Sequence, residues 1–288
     1  MSENKQLTPE EKWEQATLAN NFIFYKVMRN HPDECKELLE LLLGFKIDHV
    51  KIASEETIDI DHDSKGVRLD VYAKNSSQVF DVEVQMANTK ELPERARYYQ
   101  GIMDIDSLKS GELYKALKDS HVIFLCMEDI FDRDLPIYTF KNLCIEDNSL
   151  PLGDRSYKHF FIAPTCAKIL TDTGQKAFFD LLTANKGGTP FTDKLKALVD
   201  DAKRNTQWRV QFMTWERQQA YAYRDGKEEG IAIGEERGRT TGIAEGSRTK
   251  ALEAARSMLA DGMATELVAK YTGLSDDDLR RLANTPNA

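Results

Sequence analysis

Residues 66–85 read GVRLDVYAKNSSQVFDVEVQ and indicate two β-strands joined by a polar turn at residues 75–77. The side chains of a strand point alternately to opposite faces of its sheet. This hairpin therefore has one apolar face, suited to a core. The opposite face carries a group of polar side chains, namely Arg68, Asp70, Asp81, Glu83 and Gln85.

Three acidic residues on one face of a hairpin need an explanation, because acidic residues are depleted from strands. Neighbouring carboxylates repel one another unless a cation or solvent screens them. A cation such as Mg²⁺ prefers oxygen ligands, commonly one or two carboxylates together with waters and substrate phosphates. The pattern is compatible with a cation site, and equally with a solvated edge strand whose charges prevent aggregation.

The same residues carry a resemblance to a known family. An Asp followed about a dozen residues later by Glu-x-Lys, or a variant of it, across a hairpin is the signature of the PD-(D/E)xK nuclease superfamily. Here the pattern is Asp70 followed by Glu83-Val84-Gln85. Three further blocks resemble the Rpn branch, the recombination-promoting nucleases also described as PD-(D/E)xK family transposases: SKGVRLDVYA (64–73), RARYYQGIMDIDSLKSGELYKALKDS (95–120) and LPIYTFKN (135–142). The resemblance covers roughly residues 18–220.

The resemblance implies an α/β fold, with a restriction-endonuclease-like core in which helices flank a mixed central sheet. It also implies a DNA endonuclease that depends on Mg²⁺ or Mn²⁺ and is linked to DNA recombination or mobile elements. Carried over to this chain, Asp70 and Glu83 hold the metal, and Gln85 completes the catalytic set by orienting a water. We expect Asp81 to support the ligands or to face solvent.

Two positions depart from the family pattern. Gln85 stands where the superfamily usually has Lys, and an amide can orient a water but offers no charge. Asn21, in the block Asn20-Asn21-Phe22-Ile23-Phe24, replaces an acid that the family often has. This departure bears on a further ligand or a second metal. Both departures keep open a rival interpretation, in which the chain is a catalytically weak scaffold that binds DNA or a protein partner.

The net charge of −9 disfavours indiscriminate binding to nucleic acid, since non-specific DNA affinity depends on Lys and Arg that neutralise phosphates. Positive charge must therefore be concentrated near the hairpin. We predict DNA contacts from Lys65, Arg68, Arg97 and Tyr98. In the alternative interpretation, Arg95 pairs with Glu91 or Glu94, and Tyr98 and Tyr99 are one surface residue and one core residue.

The periodicity predicts helices, strands and a hairpin in an α/β order. The predicted elements are a helix over 19–43, a bent strand over 48–60, the hairpin over 67–86, a helical stretch over 91–118 with a break near Gly111, strands over 121–127, 137–144 and 159–164, and helices from about 175 onward. The acidic run Asp59, Asp61 and Asp63 lacks the Gly and terminal Glu of a calcium loop, so we interpret it as a solvated turn.

A second pattern begins at Gly226, from which glycine recurs every fourth residue as far as Gly246. We interpret this glycine series as a partly helical stalk; the alternative is a marginal helix that acts as a flexible linker. The last forty residues resemble a helix-turn-helix, with expected stops at Gly262 and Gly273 and a near capping box at Ser275. Its acidic helix start disfavours DNA, because a recognition helix presents its first residues to the major groove. We therefore predict a homodimer through this region, with three domains: 1–185 (nuclease), 186–248 (helical extension) and 249–288 (helix-turn-helix-like module).

The composition agrees with a soluble globular protein, since 41% of its 288 residues are hydrophobic and 30% are charged. No apolar run approaches the roughly 20 residues that span a bilayer, so no membrane association is expected. The polar, acidic N-terminal residues predict neither a signal peptide nor a transit peptide. The four cysteines lack metal-binding spacing and predict reduced thiols in a cytoplasmic protein.

Overall fold

The computed structural model describes residues 7–52 and 70–283. Its centre is a mixed six-stranded sheet flanked by helices. In chain order the elements are α1 (Pro9–Gln15), α2 (Asn21–Asn30), α3 (Pro32–Leu43), β1 (Lys51–Ile52), β2 (Val71–Lys74), β3 (Gln78–Gln85), α4 (Leu92–Ser107), β4 (Asp119–Cys126), β5 (Ile137–Phe140), β6 (Ser156–Ile162), α5 (Ala163–Ile169), α6 (Thr173–Ala184), α7 (Pro190–Arg204), α8 (Thr206–Ala260), α9 (Thr265–Thr272) and α10 (Asp276–Ala283).

The strands lie in the order β1-β2-β3-β4-β6-β5. β3 pairs with β2 in an antiparallel manner and with β4 in a parallel manner. β4 pairs in parallel with β6, and the edge strand β5 is antiparallel to β6. The predicted mixed sheet in an α/β fold is therefore confirmed, and its two central strands are β3 of the hairpin and β4 from the apolar run at 121–127.

The two faces of the sheet pack against different helices. On one face, Val122, Phe124 and Phe160 form a buried cluster with Leu92 and other residues of α4. On the opposite face, Phe161 of β6 stacks on Phe179 of α6, with ring centroids 5.9 Å apart. Because helices cover both faces, residues 79–84 of β3 are all buried. The alternative interpretation of the hairpin as a solvated edge strand is wrong for β3, since α4 covers the face that carries the acids.

Two predicted helices are shorter than expected. The helix predicted over 19–43 is two helices that meet at His31, because Pro32 lacks an N–H and disfavours helical geometry at the residue before it. The helix predicted over 91–118 ends at Ser107, and the chain then turns through Gly111 at φ 88° before β4 begins. Of the strand predicted over 48–60, residues 48–52 are described, and only Lys51–Ile52 form a strand, β1; the remainder of the predicted strand lies outside the described residues.

Residues up to Thr214 form one compact unit, and residues from Trp215 onward form a second. In the first unit, Phe212 near the start of α8 is fully buried against Trp13 and Phe22. The first unit thus includes the start of α8, and the domain bounds at residues 185 and 248 remain predictions.

In the second unit, Ala255, Val268 and Leu279 form a small core between the end of α8, α9 and α10. Both predicted stops are present, with Gly262 at φ 81° and Gly273 at φ 69°. Ser275 accepts a hydrogen bond from the backbone of Asp278 at 3.2 Å, as its predicted capping role requires.

The glycine series lies entirely inside α8, which is one continuous helix of 55 residues. In residues 7–52 and 70–283, no helix combines the length and the apolar character that crossing a membrane requires. The described part of the chain contains no disulfide, and Cys35, Cys126 and Cys166 are buried thiols.

Candidate active site

The candidate site is formed by one face of β3, where it lies beneath α4. Asp81, Glu83 and Gln85 alternate along the strand and therefore point to the same side. The register places Asp81 beside Val122 and Glu83 beside Phe124 of β4. These neighbours are apolar, so both carboxyl groups lie in surroundings that disfavour charge. Asp81 is 0% exposed and Glu83 is 3% exposed.

Asp70 lies immediately before β2 and is half-buried. Since Val71 pairs with Val82, continuation of the antiparallel register directs Asp70 toward Glu83. Burial raises the pKa of Glu83, and the charge of Asp70 raises it further, whereas Arg95 and a backbone hydrogen bond from Asp70 act in the opposite direction. The hairpin thus places the two predicted metal ligands, Asp70 and Glu83, close enough for the charge of one to act on the other.

Of the two expectations for Asp81, the solvent-facing position is wrong, and the role of supporting the ligands remains a prediction. Asp81 is completely buried, and neither carboxyl oxygen has a hydrogen-bond partner among the described residues. Burial raises the pKa of Asp81 well above its usual range, and the charges of Glu83 and Asp70 raise it further. An unpaired polar group in a core costs about 1–3 kcal/mol or more of folding free energy. The burial of the Asp81 carboxyl beside the candidate site is therefore unfavourable for folding.

Arg95 of α4 is the cation of the site. Its Nη2 donates to Glu83 Oε2 at 2.6 Å and to the Tyr99 hydroxyl at 3.0 Å, and its Nη1 donates to Gln85 Oε1 at 2.9 Å. The alternative pairing of Arg95 with Glu91 or Glu94 is therefore wrong, because α4 turns this residue toward the sheet. The signal in the sequence is the helical spacing that puts Arg95 on the same side as Leu92 and Tyr99, which are both buried.

The predicted DNA contacts are only partly within the described structure. Arg97 and Tyr98 are exposed on α4, whereas Tyr99 is buried, so the two tyrosines are one surface residue and one core residue. Lys65 and Arg68 lie outside the described residues, as does the acidic run at 59–63. Asn21 is the first residue of α2.

The donor set fits an oxygen-preferring cation that is completed by other ligands. Within the described parts of the chain, no group of three or more His, Cys, Asp or Glu side chains is arranged to hold a metal ion. Mg²⁺, however, commonly takes only one or two protein carboxylates and fills its remaining positions with waters and substrate phosphates. Asp70 and Glu83, next to the unpaired oxygens of Asp81, offer that chemistry.

Two family models match parts of the chain. Residues 21–149 match the family model described as PD-(D/E)XK nuclease family transposase. Residues 248–284 match the model of the C-terminal HTH domain of the Rpn/YhgA-like nuclease family. No curated protein and no solved structure shows significant similarity to the chain. The two matches occur in one chain, one on the α/β unit and one on the helical tail, and together they support the assignment of the chain to the Rpn family of PD-(D/E)XK nucleases.

Proposed function

We propose that the chain is a metal-dependent DNA endonuclease in which Asp70 and Glu83 hold Mg²⁺ or Mn²⁺. The observation that carries the proposal is the burial of acidic groups on β3, where Glu83 is 3% exposed beside the charge of Asp70. Carboxylates held together in this way repel one another, and a cation relieves that repulsion. The family matches support DNA as the substrate, and the transposase description supports a role in recombination or in mobile elements.

Each group of the site has a distinct part in the proposed hydrolysis. A bound Mg²⁺ or Mn²⁺ supplies Lewis acidity to the scissile phosphate and lowers the pKa of a water molecule. Asp70 and Glu83 position it at the sheet, and Gln85 at the end of β3 completes the catalytic set beside them. Arg97 and Tyr98 on the exposed side of α4 offer a phosphate contact and an aromatic surface to the DNA.

Plasmid nicking tests the metal dependence directly. We expect the purified protein to nick supercoiled plasmid in Mg²⁺ or Mn²⁺, to lose this activity in excess EDTA, and to regain it when Mg²⁺ is added beyond the chelator. The reason is that the carboxylates cannot activate a water without the cation. Agarose gel electrophoresis over a time course provides the rates, and nicking that persists in excess EDTA would contradict the metal mechanism.

One observation favours a second candidate function. The ion pair between Arg95 and Glu83 neutralises a buried carboxylate without any metal, so the fold is compatible with a scaffold that binds DNA or a partner and does not cut. The two candidates differ in a simple way. A scaffold would retard a DNA fragment in a gel equally with and without Mg²⁺ and would leave plasmid intact in both conditions.

We propose further that the tail mediates self-association. A Cβ at any of the six glycines of the series would meet no atom within 4 Å apart from the adjacent residues and backbone of its own helix, so packing within the described chain does not explain them. Each glycine in a helix costs about 1 kcal/mol relative to alanine, and a surface of small residues lets a second helix approach closely. The helix-turn-helix match supports DNA contact by residues 248–284, and the acidic start of α10 at residues 276–278 argues against it.

Truncation after Arg224 separates these roles of the tail. If α8 and the module that follows it drive assembly, we expect the full chain to have twice the protomer mass in multi-angle light scattering and the truncated chain to be a monomer. The truncated protein should still nick plasmid but make fewer double-strand breaks, because a two-fold dimer presents two sites to the two strands.

The outcomes of the truncation distinguish assembly from DNA recognition. Equal oligomeric states for the two proteins would mean that the tail does not drive assembly. A truncated protein that loses all DNA affinity in a gel-shift assay would instead identify the tail as the DNA reader. The variant Gly234→Ala is a matched probe, since it favours the helix but adds a methyl group to the surface of the glycine series.

A further inference from the structure

The guanidinium of Arg95 is held in place from several directions. Its hydrogen bonds to Glu83, Gln85 and Tyr99 fix its plane. Its central carbon also lies 5.4 Å from the centre of the Tyr99 ring and 5.6 Å from that of the Phe124 ring, within the range of a cation–π interaction. Burial lowers the pKa of Arg95, but the charge of Glu83 and the hydrogen bond to Tyr99 hold this pKa above its ordinary value. The positive charge at this point of the site is therefore permanent.

Gln85 is committed to this arrangement by both ends of its amide. Its Oε1 accepts from Arg95 Nη1 at 2.9 Å, and its Nε2 donates to the backbone carbonyl of Ala87 at 2.6 Å. A guanidinium only donates and a carbonyl only accepts, so the two contacts require the same orientation of the amide. Gln85 therefore acts as a bridge that joins the end of β3 to Arg95, and its carbonyl oxygen points toward the cation.

We propose that Arg95, reaching across from α4, carries the positive charge that position 85 of the ExQ motif lacks. A phosphodiester that is being hydrolysed gains negative charge, and the carboxylates of this site repel it. A cation beside Glu83 and Gln85 offsets that repulsion. The Arg95 side chain keeps 31% of its surface exposed, so it is accessible to a phosphate while it remains anchored.

The hydrogen-bonding capacity of Arg95 agrees with this role. The contacts to Glu83, Gln85 and Tyr99 use the Nε hydrogen, both Nη2 hydrogens and one Nη1 hydrogen. A guanidinium has five N–H groups, so one N–H of Nη1 makes no hydrogen bond to the described residues and can donate to an additional acceptor. A phosphate oxygen is a strong acceptor for an arginine N–H.

The inference rests on the proposed nuclease function, and a charge relocation tests it. The variants are Arg95→Gln, Gln85→Lys and the double variant Gln85→Lys/Arg95→Gln. Arg95→Gln should slow Mg²⁺-dependent nicking by about 10²-fold, and the double variant should recover at least about tenfold of that loss, because it returns one cation to the site. Gln85→Lys alone places two cations side by side and should lower the melting temperature.

A second readout uses the metal-free protein and no cleavage at all. In EDTA, Arg95→Gln should lower the melting temperature because Glu83 loses its buried ion pair, and the double variant should restore much of it. If no variant chain nicks plasmid and the wild type does not either, the proposed function fails, and the melting temperatures still show whether positions 85 and 95 share one charge.

Two results would overturn the inference. One is wild-type nicking by Arg95→Gln. The other is a double variant that regains its melting temperature but nicks no faster than Arg95→Gln. If Arg95→Gln does not fold, Arg95→Lys replaces it, because it keeps the charge and loses the planar guanidinium. The nicking rate of Arg95→Lys should fall between that of the wild type and that of the folded double variant. A complete loss of nicking by folded Arg95→Lys would also count against the inference. Arg204→Gln, at an exposed arginine of α7 that pairs with Asp201, controls for the loss of one positive charge.

Discussion

Asp70→Asn is expected to abolish metal-dependent DNA cleavage, with a loss of about 10³-fold or more, while the fold and DNA binding remain intact. The substitution keeps the shape of the side chain and removes the charge that a cation needs, and a bound metal ion contributes several kcal/mol to such a reaction. DNA affinity should be unchanged or higher, because a carboxylate that repels phosphate is removed. Nicking rates in Mg²⁺ and gel shifts in EDTA measure the two effects.

Asp119→Asn is the matched control for this substitution. Asp119 begins β4 and pairs with Gln78, at the end of β3 remote from Gln85, and it forms an ion pair with Arg155. The same chemical change there should leave nicking close to the wild-type rate. Wild-type cleavage by a correctly folded Asp70→Asn protein would exclude Asp70 as a metal ligand.

Acid is expected to destabilise the first unit through two buried histidines on the opposite face of the sheet. His121 Nδ1 lies 3.1 Å from His159 Nε2, and His159 Nδ1 lies 3.2 Å from the Thr139 hydroxyl. Burial lowers the pKa of His121 to about 3, with a further contribution from His159, and burial lowers the pKa of His159 to about 4. Both rings are therefore neutral in the fold at neutral pH.

The direction of the pH dependence follows because both histidines have a lower pKa in the folded chain than in the unfolded chain. Below about pH 6.5 the unfolded chain binds protons that the folded chain does not, so stability is fully present above that pH and is lost as the pH falls toward 4. Each histidine should account for a loss on the order of 2 kcal/mol by about pH 5. Urea unfolding at about pH 7 and pH 5, followed by far-UV circular dichroism, measures the free energy of unfolding.

Two substitutions make this test specific. His121→Phe keeps a ring between Phe80 and Tyr157, on which His121 stacks, and it should remove roughly half of the pH-dependent loss. His49→Gln, at an exposed position, should lose as much stability as the wild type. Equal losses in all three proteins would show that groups other than this pair determine the acid sensitivity.

Local patterns in the sequence were sufficient for several elements of the fold and for the composition of the site. Alternation along residues 78–85 predicted that Asp81, Glu83 and Gln85 share a face, because side-chain direction in a strand depends only on the backbone. The apolar run at 121–127 predicted a central strand, and Gly262 and Gly273 predicted the helix ends in the tail. The proposed roles of Asp70 and Glu83 as metal ligands remain predictions.

The depth of the site and its cation depended on contacts between distant segments. Asp81 is buried because β4 pairs with β3 and α4 lies over both strands. Neither contact can be predicted from the residues next to Asp81 in the sequence. Arg95 reaches Glu83 because α4 packs on the sheet with the Arg95 side of the helix turned toward it. The helical period in the sequence shows which residues share a side of α4, but it does not determine which side faces the sheet. The sequence alone thus determined which side chains share a face of the hairpin, since that is local backbone geometry. Only the tertiary structure decided which of them are buried and which charge lies among them, since burial and ion pairing depend on what packs above that face.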